Sequence, residues 1–205
     1  MLDTDFIAAG EKDSRRLMIV LHGLGDSMEG YRWWPEAMRL PWLNYLLVNA
    51  PEPYNGGFAW YDLMDPESGV ARSRKLLLQL LGDLKARDFP PGQIVLSGFS
   101  QGCVMSLETG LRLPDRLAGI VGISGYVLDP EQLAGELGPP APSQRILLTH
   151  GTDDPLIPIE RVRPDVERLK RAGLHIDWRE FAKGHTIAGE TEMSVVRSFV
   201  QNCYV

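Results

Sequence analysis

Short, continuous apolar runs recur along the chain and are separated by longer amphipathic segments. The first five runs are rich in Val, Ile and Leu without polar alternation, the pattern of strands that are covered on both faces. We predict strands at residues 17–21, 45–48, 94–96, 119–123, 146–149 and 175–181. We predict helices at residues 70–87, 101–113, 159–172 and 188–202. This alternation predicts a mostly parallel sheet in a three-layer α/β/α sandwich, with active residues at the carboxyl ends of the strands.

Chain length, charge and cysteine content limit the classes of protein to consider. A chain of 205 residues suggests one domain over residues 1–205. Its net charge of −6 argues against a nucleic-acid partner. Acidic residues interrupt the N-terminal region where a signal peptide would be apolar, and no apolar run reaches the roughly 18 residues of a membrane span. The two cysteines do not have the spacing of metal ligands, and they are too few to form a disulfide framework. We therefore expect a cytoplasmic protein with reduced thiols and no membrane span.

The segment Gly98-Phe99-Ser100-Gln101-Gly102 lies between a predicted strand and a predicted helix. A sharp turn there leaves room only for small residues two positions before and after the serine. Such a turn lifts the Ser100 hydroxyl clear of the sheet, and the following helix points free N–H groups at it. We predict Ser100 as a nucleophile, and the alternative is a purely structural glycine-rich turn.

A serine nucleophile needs a base, and the chain offers four histidines. Where the serine nucleophile lies on a strand-to-helix turn of this kind, the order of the catalytic residues along the chain is serine, acid, histidine. His22 precedes Ser100, His150 has no suitable acid before it, and His175 lies within a predicted strand. His185 follows the last predicted strand in a loop, at the edge where active residues gather. We predict His185 as the base.

Two aspartates follow the fifth predicted strand, Asp153 and Asp154. Either could hold the imidazole in the correct tautomer and stabilise the imidazolium. Local chemistry does not separate them, and the other aspartate is expected to serve a turn or a helix cap.

An oxyanion hole requires two main-chain donors near the nucleophile. The N–H of Gln101 is one, because it follows the serine, and the N–H of Leu24 in His22-Gly23-Leu24-Gly25-Asp26 is the other. The alternative for that segment, a phosphate loop, lacks both the G-K-[ST] ending and the G-x-G-x-x-G pattern.

Apolar residues near the predicted loops suggest an acyl-binding groove. Trp60, Leu63 and Met64 are candidates, and Ile157 after the acid could line the same groove. The alternative is ordinary core or surface packing. We expect a short to medium acyl ester as substrate. No metal or organic cofactor is implied, because the triad supplies base, nucleophile and electrophile.

Several segments together resemble the phospholipase/carboxylesterase family, which includes acyl-protein thioesterases and lysophospholipases. The resemblance runs from about Leu17 to Phe199. The segments are His22-Gly23-Leu24-Gly25-Asp26, Asn55-Gly56-Gly57 with Ala59-Trp60-Tyr61-Asp62, Gly98-Phe99-Ser100-Gln101-Gly102, Ser124-Gly125-Tyr126, His150-Gly151 with Asp154-Pro155-Leu156-Ile157-Pro158, and Gly184-His185-Thr186-Ile187.

The resemblance implies a small α/β-hydrolase without a separate cap domain that cleaves esters or thioesters through an acyl-enzyme. It assigns the acid to Asp154, which precedes the proline, and supports Leu24 and Gln101 as donors. Cys103 stands where a second glycine is common, and the stretch at residues 51–60 is shorter than in many members. A small serine peptidase and an inactive hydrolase-like binding protein are the alternatives, and a homodimer stays open.

Overall fold

The computed structural model describes residues 1–205, and its centre is a seven-stranded sheet. The strands are β1 (Thr4–Ile7), β2 (Leu17–Leu21), β3 (Asn44–Val48), β4 (Glu52–Tyr54), β5 (Gly57–Ala59), β6 (Ile94–Phe99), β7 (Gly119–Ile123), β8 (Ile146–Gly151) and β9 (Ile176–Phe181). The sheet order is β1-β3-β2-β6-β7-β8-β9, and β4 and β5 form a separate hairpin. Every neighbouring pair in the large sheet is parallel except β1 with β3. The predicted fold class is confirmed.

Six helices flank the sheet. They are α1 (Trp34–Met38), α2 (Pro66–Lys85), α3 (Gln101–Gly110), α4 (Pro130–Gly135), α5 (Ile159–Arg171) and α6 (Gly189–Cys203). The four predicted helices are present. However, α2 begins earlier than predicted, at Pro66, because a proline suits the first turn of a helix. The short helices α1 and α4, with 5 and 6 residues, are too brief to show a helical period in the sequence.

The core has two apolar layers, one on each face of the sheet. Side chains of β2 alternate between them: Leu17, Ile19 and Leu21 pack on the face covered by α2, α3 and α5. Met18 and Val20 pack on the face covered by α1 and α6. Because both faces are covered, the strand needs an unbroken apolar run, which is the pattern that predicted it.

Strand β1 and the β4–β5 hairpin were not predicted. β1 lies at the edge of the sheet and is only partly buried, so its sequence lacks the continuous apolar pattern. All three residues of β4 are exposed, and Pro53 within it suits only an edge strand.

The loops that follow β2, β6, β8 and β9 emerge at the carboxyl edge of the sheet, because these strands are parallel and in register. This edge is where all the predicted triad residues are carried. None of the six helices combines the length and the apolar character that crossing a bilayer requires.

Candidate active site

Ser100 occupies a sharp turn between the last residue of β6 and the first residue of α3. Its φ of +53° lies in the left-handed region, where a non-glycine residue is strained. A Cβ on Gly98 would overlap the Gly102 carbonyl, and a Cβ on Gly102 would overlap the carbonyl oxygen of Leu21. The two glycines are therefore required by close backbone approach, as the sequence pattern predicts.

The side chains of Ser100, His185 and Asp154 form one continuous chain of hydrogen bonds. His185 Nε2 lies 2.9 Å from Ser100 Oγ, and His185 Nδ1 lies 2.7 Å from Asp154 Oδ2. With the proton on Nδ1, the imidazole donates to the carboxylate and accepts from the serine hydroxyl. This is the geometry that a base needs in order to take the hydroxyl proton.

Asp154 is buried and surrounded by hydrogen-bond donors. Its Oδ1 accepts the N–H groups of Leu156 and Ile157, each at 2.9 Å. Burial by itself would raise the pKa of this carboxyl, but the bonds from Ile157 and His185 outweigh burial and lower the pKa. The carboxylate therefore stays ionised opposite the imidazole.

Asp153 differs from its neighbour in exposure and in contacts. Its side chain is exposed and accepts only from the Thr152 hydroxyl, at 3.2 Å. The structure thus brings Asp154 and not Asp153 to His185, a distinction that local sequence chemistry left open.

Of the four histidines, only His185 forms a hydrogen bond with Ser100 Oγ. His22 is buried, with Nδ1 at 2.6 Å from the Gly23 carbonyl oxygen and Nε2 accepting the Ala50 N–H at 3.0 Å. Burial lowers the pKa of both His22 and His150, so both stay neutral. His175 is exposed at the opposite edge of the sheet, in a surface depression of about 790 Å³ that contains no triad residue.

The loop after β2 brings Leu24 close to the nucleophile. A Cβ on Gly23 would lie 3.3 Å from the Ser100 Cβ, so this loop passes directly beside the serine. The N–H groups of Gly25 and Asp26 donate to main-chain carbonyls, whereas the N–H of Leu24 donates to none. Gln101 is the first residue of α3, so its N–H has no partner within the helix. Two free donors of the predicted kind therefore flank Ser100.

Trp60 was predicted to line an acyl groove, and the structure corrects this prediction. The side chain is fully buried, and its indole N–H donates to the His22 carbonyl oxygen at 2.9 Å. Its main-chain N–H donates to Gln101 Oε1 at 2.9 Å, and its carbonyl accepts the Ser73 hydroxyl. Trp60 thus lies beneath the site and joins the Leu24 loop to the nucleophile helix. The sequence does not distinguish an exposed aromatic side chain from a buried one, because burial depends on contacts with residues distant in the chain.

Leu63 and Met64 do line a cavity, of about 610 Å³, which the Leu24 loop also lines. Their side chains are 58% and 90% exposed, so apolar surface is available there for a ligand. Ile157 is half-buried against the core and does not line this cavity. Of the four predicted groove residues, the structure brings only Leu63 and Met64 together.

Cys103 lies one turn after the nucleophile on α3. Its thiol is buried against Gly122 and Gly125, two residues in which the absence of a Cβ makes room for the sulfur. Burial raises the pKa of the thiol to about 12, so it stays protonated at neutral pH. This cysteine is therefore no competing nucleophile.

Replacing Trp60 by phenylalanine is expected to lower kcat by about 10- to 100-fold with little change in KM, less than the loss of a whole oxyanion donor. The reason is that the His22 carbonyl loses its partner and the Leu24 loop loses an anchor. Trp34→Phe is the matched control, because Trp34 is also fully buried but its indole N–H has no hydrogen-bond partner. Steady-state kinetics on one ester tests this. Equal losses of kcat in the two variants would contradict an anchoring role for the indole N–H.

Comparisons with known proteins identify the family to which the chain belongs. Acyl-protein thioesterase 1 of Schizosaccharomyces pombe is 36% identical over 155 residues, which cover 69% of this chain and 69% of that protein. Acyl-protein thioesterase 1 of Gibberella zeae is 28% identical over 211 residues, covering 90% of this chain and 88% of that one. The crystal structure of esterase PE8 superposes with a TM-score of 0.85 at 27% identity, covering 98% of this chain and 99% of the other. A model of the phospholipase/carboxylesterase family matches residues 2–204, and the chain therefore belongs to the phospholipase/carboxylesterase family.

Proposed function

We propose that Ser100, His185 and Asp154 are the nucleophile, the base and the acid with which this protein cleaves its substrates. The protein is a serine hydrolase that acts on carboxylic esters or thioesters. The observation that carries the assignment is the unbroken hydrogen-bond chain from Asp154 through His185 to Ser100, at 2.7 and 2.9 Å. Each of these side chains comes from the carboxyl edge of a different strand.

The first half of the reaction forms an acyl-enzyme. His185 Nε2 takes the proton of Ser100 as the serine oxygen bonds to the carbonyl carbon of the substrate. The oxygen of the tetrahedral intermediate becomes negative and accepts hydrogen bonds from the N–H groups of Leu24 and Gln101. Asp154 stabilises the imidazolium. The carbon–oxygen or carbon–sulfur bond then breaks, and His185 returns the proton to the leaving alcohol or thiol.

The second half releases the acid. A water molecule gives a proton to His185 Nε2 as its oxygen attacks the acyl carbon, and the same two N–H groups again hold the negative oxygen. Collapse of this intermediate breaks the bond to Ser100 and returns the proton to its oxygen. These steps use only groups of this chain, so no metal or organic cofactor enters the proposal.

The cavity bounded by Leu24, Leu63 and Met64 supports a place for the acyl chain. It lies beside the proposed oxyanion donor, and two exposed apolar side chains face solvent there. Burying such side chains against an acyl chain is favourable, at about 0.8 kcal/mol per buried methylene. We propose that this cavity sets a preference for short to medium acyl groups.

An activity panel tests the proposed function. We expect hydrolysis of p-nitrophenyl esters with an optimum at short to medium acyl length, and hydrolysis of acyl thioesters, since two relatives are named acyl-protein thioesterases. The panel includes lysophospholipids, peptide p-nitroanilides for the peptidase alternative, and Ser100→Ala as control. Cleavage of the anilides alone would favour a peptidase, and no turnover of any substrate would favour a binding protein. A flat profile across acyl lengths would argue against a defined acyl cavity.

Three sequence-based expectations stay predictions: a single domain over residues 1–205, a cytoplasmic location, and the homodimer that the sequence analysis left open. We include the cytoplasmic location in the proposal because the net charge of −6 and the reduced thiols fit it. No nucleic-acid partner is proposed.

A further inference from the structure

A buried ion pair lies in the loop that carries His185. Lys183 Nζ donates to Glu192 Oε1 at 2.6 Å and to Oε2 at 2.7 Å. Their side chains are only 3% and 0% exposed. Charged side chains are seldom buried to this extent, because removing them from water is costly even when they are paired. Neither group takes part in the proposed chemistry.

The carboxylate of Glu192 holds both ends of the histidine loop. Lys183 lies two residues before His185, and Ala188 lies three residues after it. Glu192 Oε2 accepts the Ala188 N–H at 2.7 Å in addition to the lysine ammonium. Residues 183–188 are therefore closed into a ring by one carboxylate, which projects from the first turns of α6.

Lys183 also connects the histidine loop to the loop that carries the acid. Its carbonyl oxygen accepts the N–H of Asp153 at 3.1 Å, one residue before Asp154. At Gly151, the last residue of β8, a Cβ would overlap this same carbonyl. The position of Lys183 thus fixes how the two loops face each other.

We propose that Lys183 and Glu192 are positioning residues that hold His185 within hydrogen-bond distance of both Ser100 and Asp154. This inference rests on the proposed role of His185. A well-packed apolar pair is often as stable as a buried ion pair, so stability alone does not require charges here. What the pair adds is a set of directional bonds across the ends of the loop. A displacement of about 1 Å at a reacting group can lower a rate by about 10²-fold.

The test compares Lys183→Met with Arg112→Met. Arg112 and Glu108 form an ion pair of similar burial, with side chains 11% and 5% exposed, at the end of α3 remote from Ser100. Lys183→Met leaves the Glu192 carboxylate without its ammonium partner, and Arg112→Met leaves the buried Glu108 carboxylate and the more exposed Glu136 carboxylate without their guanidinium partner. Both variants should therefore lose thermal stability. We expect Lys183→Met to lower kcat by about 10- to 100-fold with KM within about twofold of the wild type, and Arg112→Met to keep kcat. Equal losses of kcat in both variants, well below both melting temperatures, would overturn the proposal.

A spectroscopic measurement reads the position of the imidazole directly. The proton between His185 Nδ1 and Asp154 should give a strongly deshielded proton NMR resonance in the wild type and in Arg112→Met. We expect this resonance to broaden or disappear in Lys183→Met. Its full retention with unchanged shift would overturn the proposal.

The double variant Lys183→Met/Glu192→Leu distinguishes an effect on the position of His185 from an effect on stability. It also keeps the proposal testable if Lys183→Met folds poorly. It removes the unpaired buried carboxylate, so the melting temperature should recover toward the wild type while kcat stays low. Recovery of kcat together with stability would overturn the proposal. If Ser100→Ala is inactive while Lys183→Met is fully active, the positioning role alone fails. If Ser100→Ala retains activity, the proposed function itself fails.

Discussion

Ser100→Ala is expected to lower kcat by about 10⁶-fold, and His185→Ala by a similar factor. Without the hydroxyl there is no oxygen to form the acyl-enzyme, and without the imidazole the hydroxyl keeps its proton. Because the two side chains act as one unit, joined at 2.9 Å, the double variant should be little slower than either single variant. The rate that remains comes from the two main-chain donors and from substrate binding.

Ser106→Ala is the matched control for Ser100→Ala. Ser106 is also buried on α3, and its hydroxyl donates only to the Gly102 carbonyl, at 2.9 Å. We expect its kcat to stay within about threefold of the wild type. Steady-state kinetics on one activated ester, with thermal melts to show that each variant folds, provides the measurement. Additive losses in the double variant would show that the serine and the histidine do not act together.

The second large effect is expected at the acid. Asp154→Asn should lower kcat by about 10⁴-fold, because an amide cannot stabilise the imidazolium and favours the wrong tautomer of His185. The site makes this exchange especially unfavourable. Leu156 and Ile157 already donate to one carboxylate oxygen and His185 to the other, so an amide NH₂ would face a donor in either orientation.

Asp153→Asn is the matched control at the adjacent position. Its side chain is exposed and contacts only the Thr152 hydroxyl, so we expect kcat within about threefold of the wild type. The same ester assay measures both variants. Similar losses of kcat in the two variants, or a larger loss in Asp153→Asn, would contradict the assignment of the acid to Asp154.

The five inner strands of the sheet were predictable because burial on both faces requires a continuous apolar run, which is visible in the sequence. The sharp turn at Ser100 was predictable for a similar reason, since close backbone approach on both sides of Ser100 requires glycine at fixed spacing. The β4–β5 hairpin was missed although a signal for it exists. Asn55 and Gly56 both adopt positive φ, of 46° and 87°, and Asn-Gly is typical of tight hairpin turns.

Other parts of the site depend on contacts between residues distant in sequence. The adjacent Asp153 and Asp154 differ only in the residues that surround them in the folded protein, and the neighbouring sequence does not show this difference. Trp60 was assigned to the wrong role because its partners, His22 and Gln101, are about 40 positions away. Lys183 and Glu192 look like ordinary surface charges in sequence, since only the packing of α6 buries them together.

The most direct measurement is to treat the wild-type protein with a fluorophosphonate and to locate the adduct by peptide mass spectrometry. The proposed triad predicts one adduct per chain, on Ser100, and none in either Ser100→Ala or His185→Ala under the same conditions. Absence of an adduct on the wild type, or an adduct on another residue that persists in Ser100→Ala, would contradict the assignment of the nucleophile.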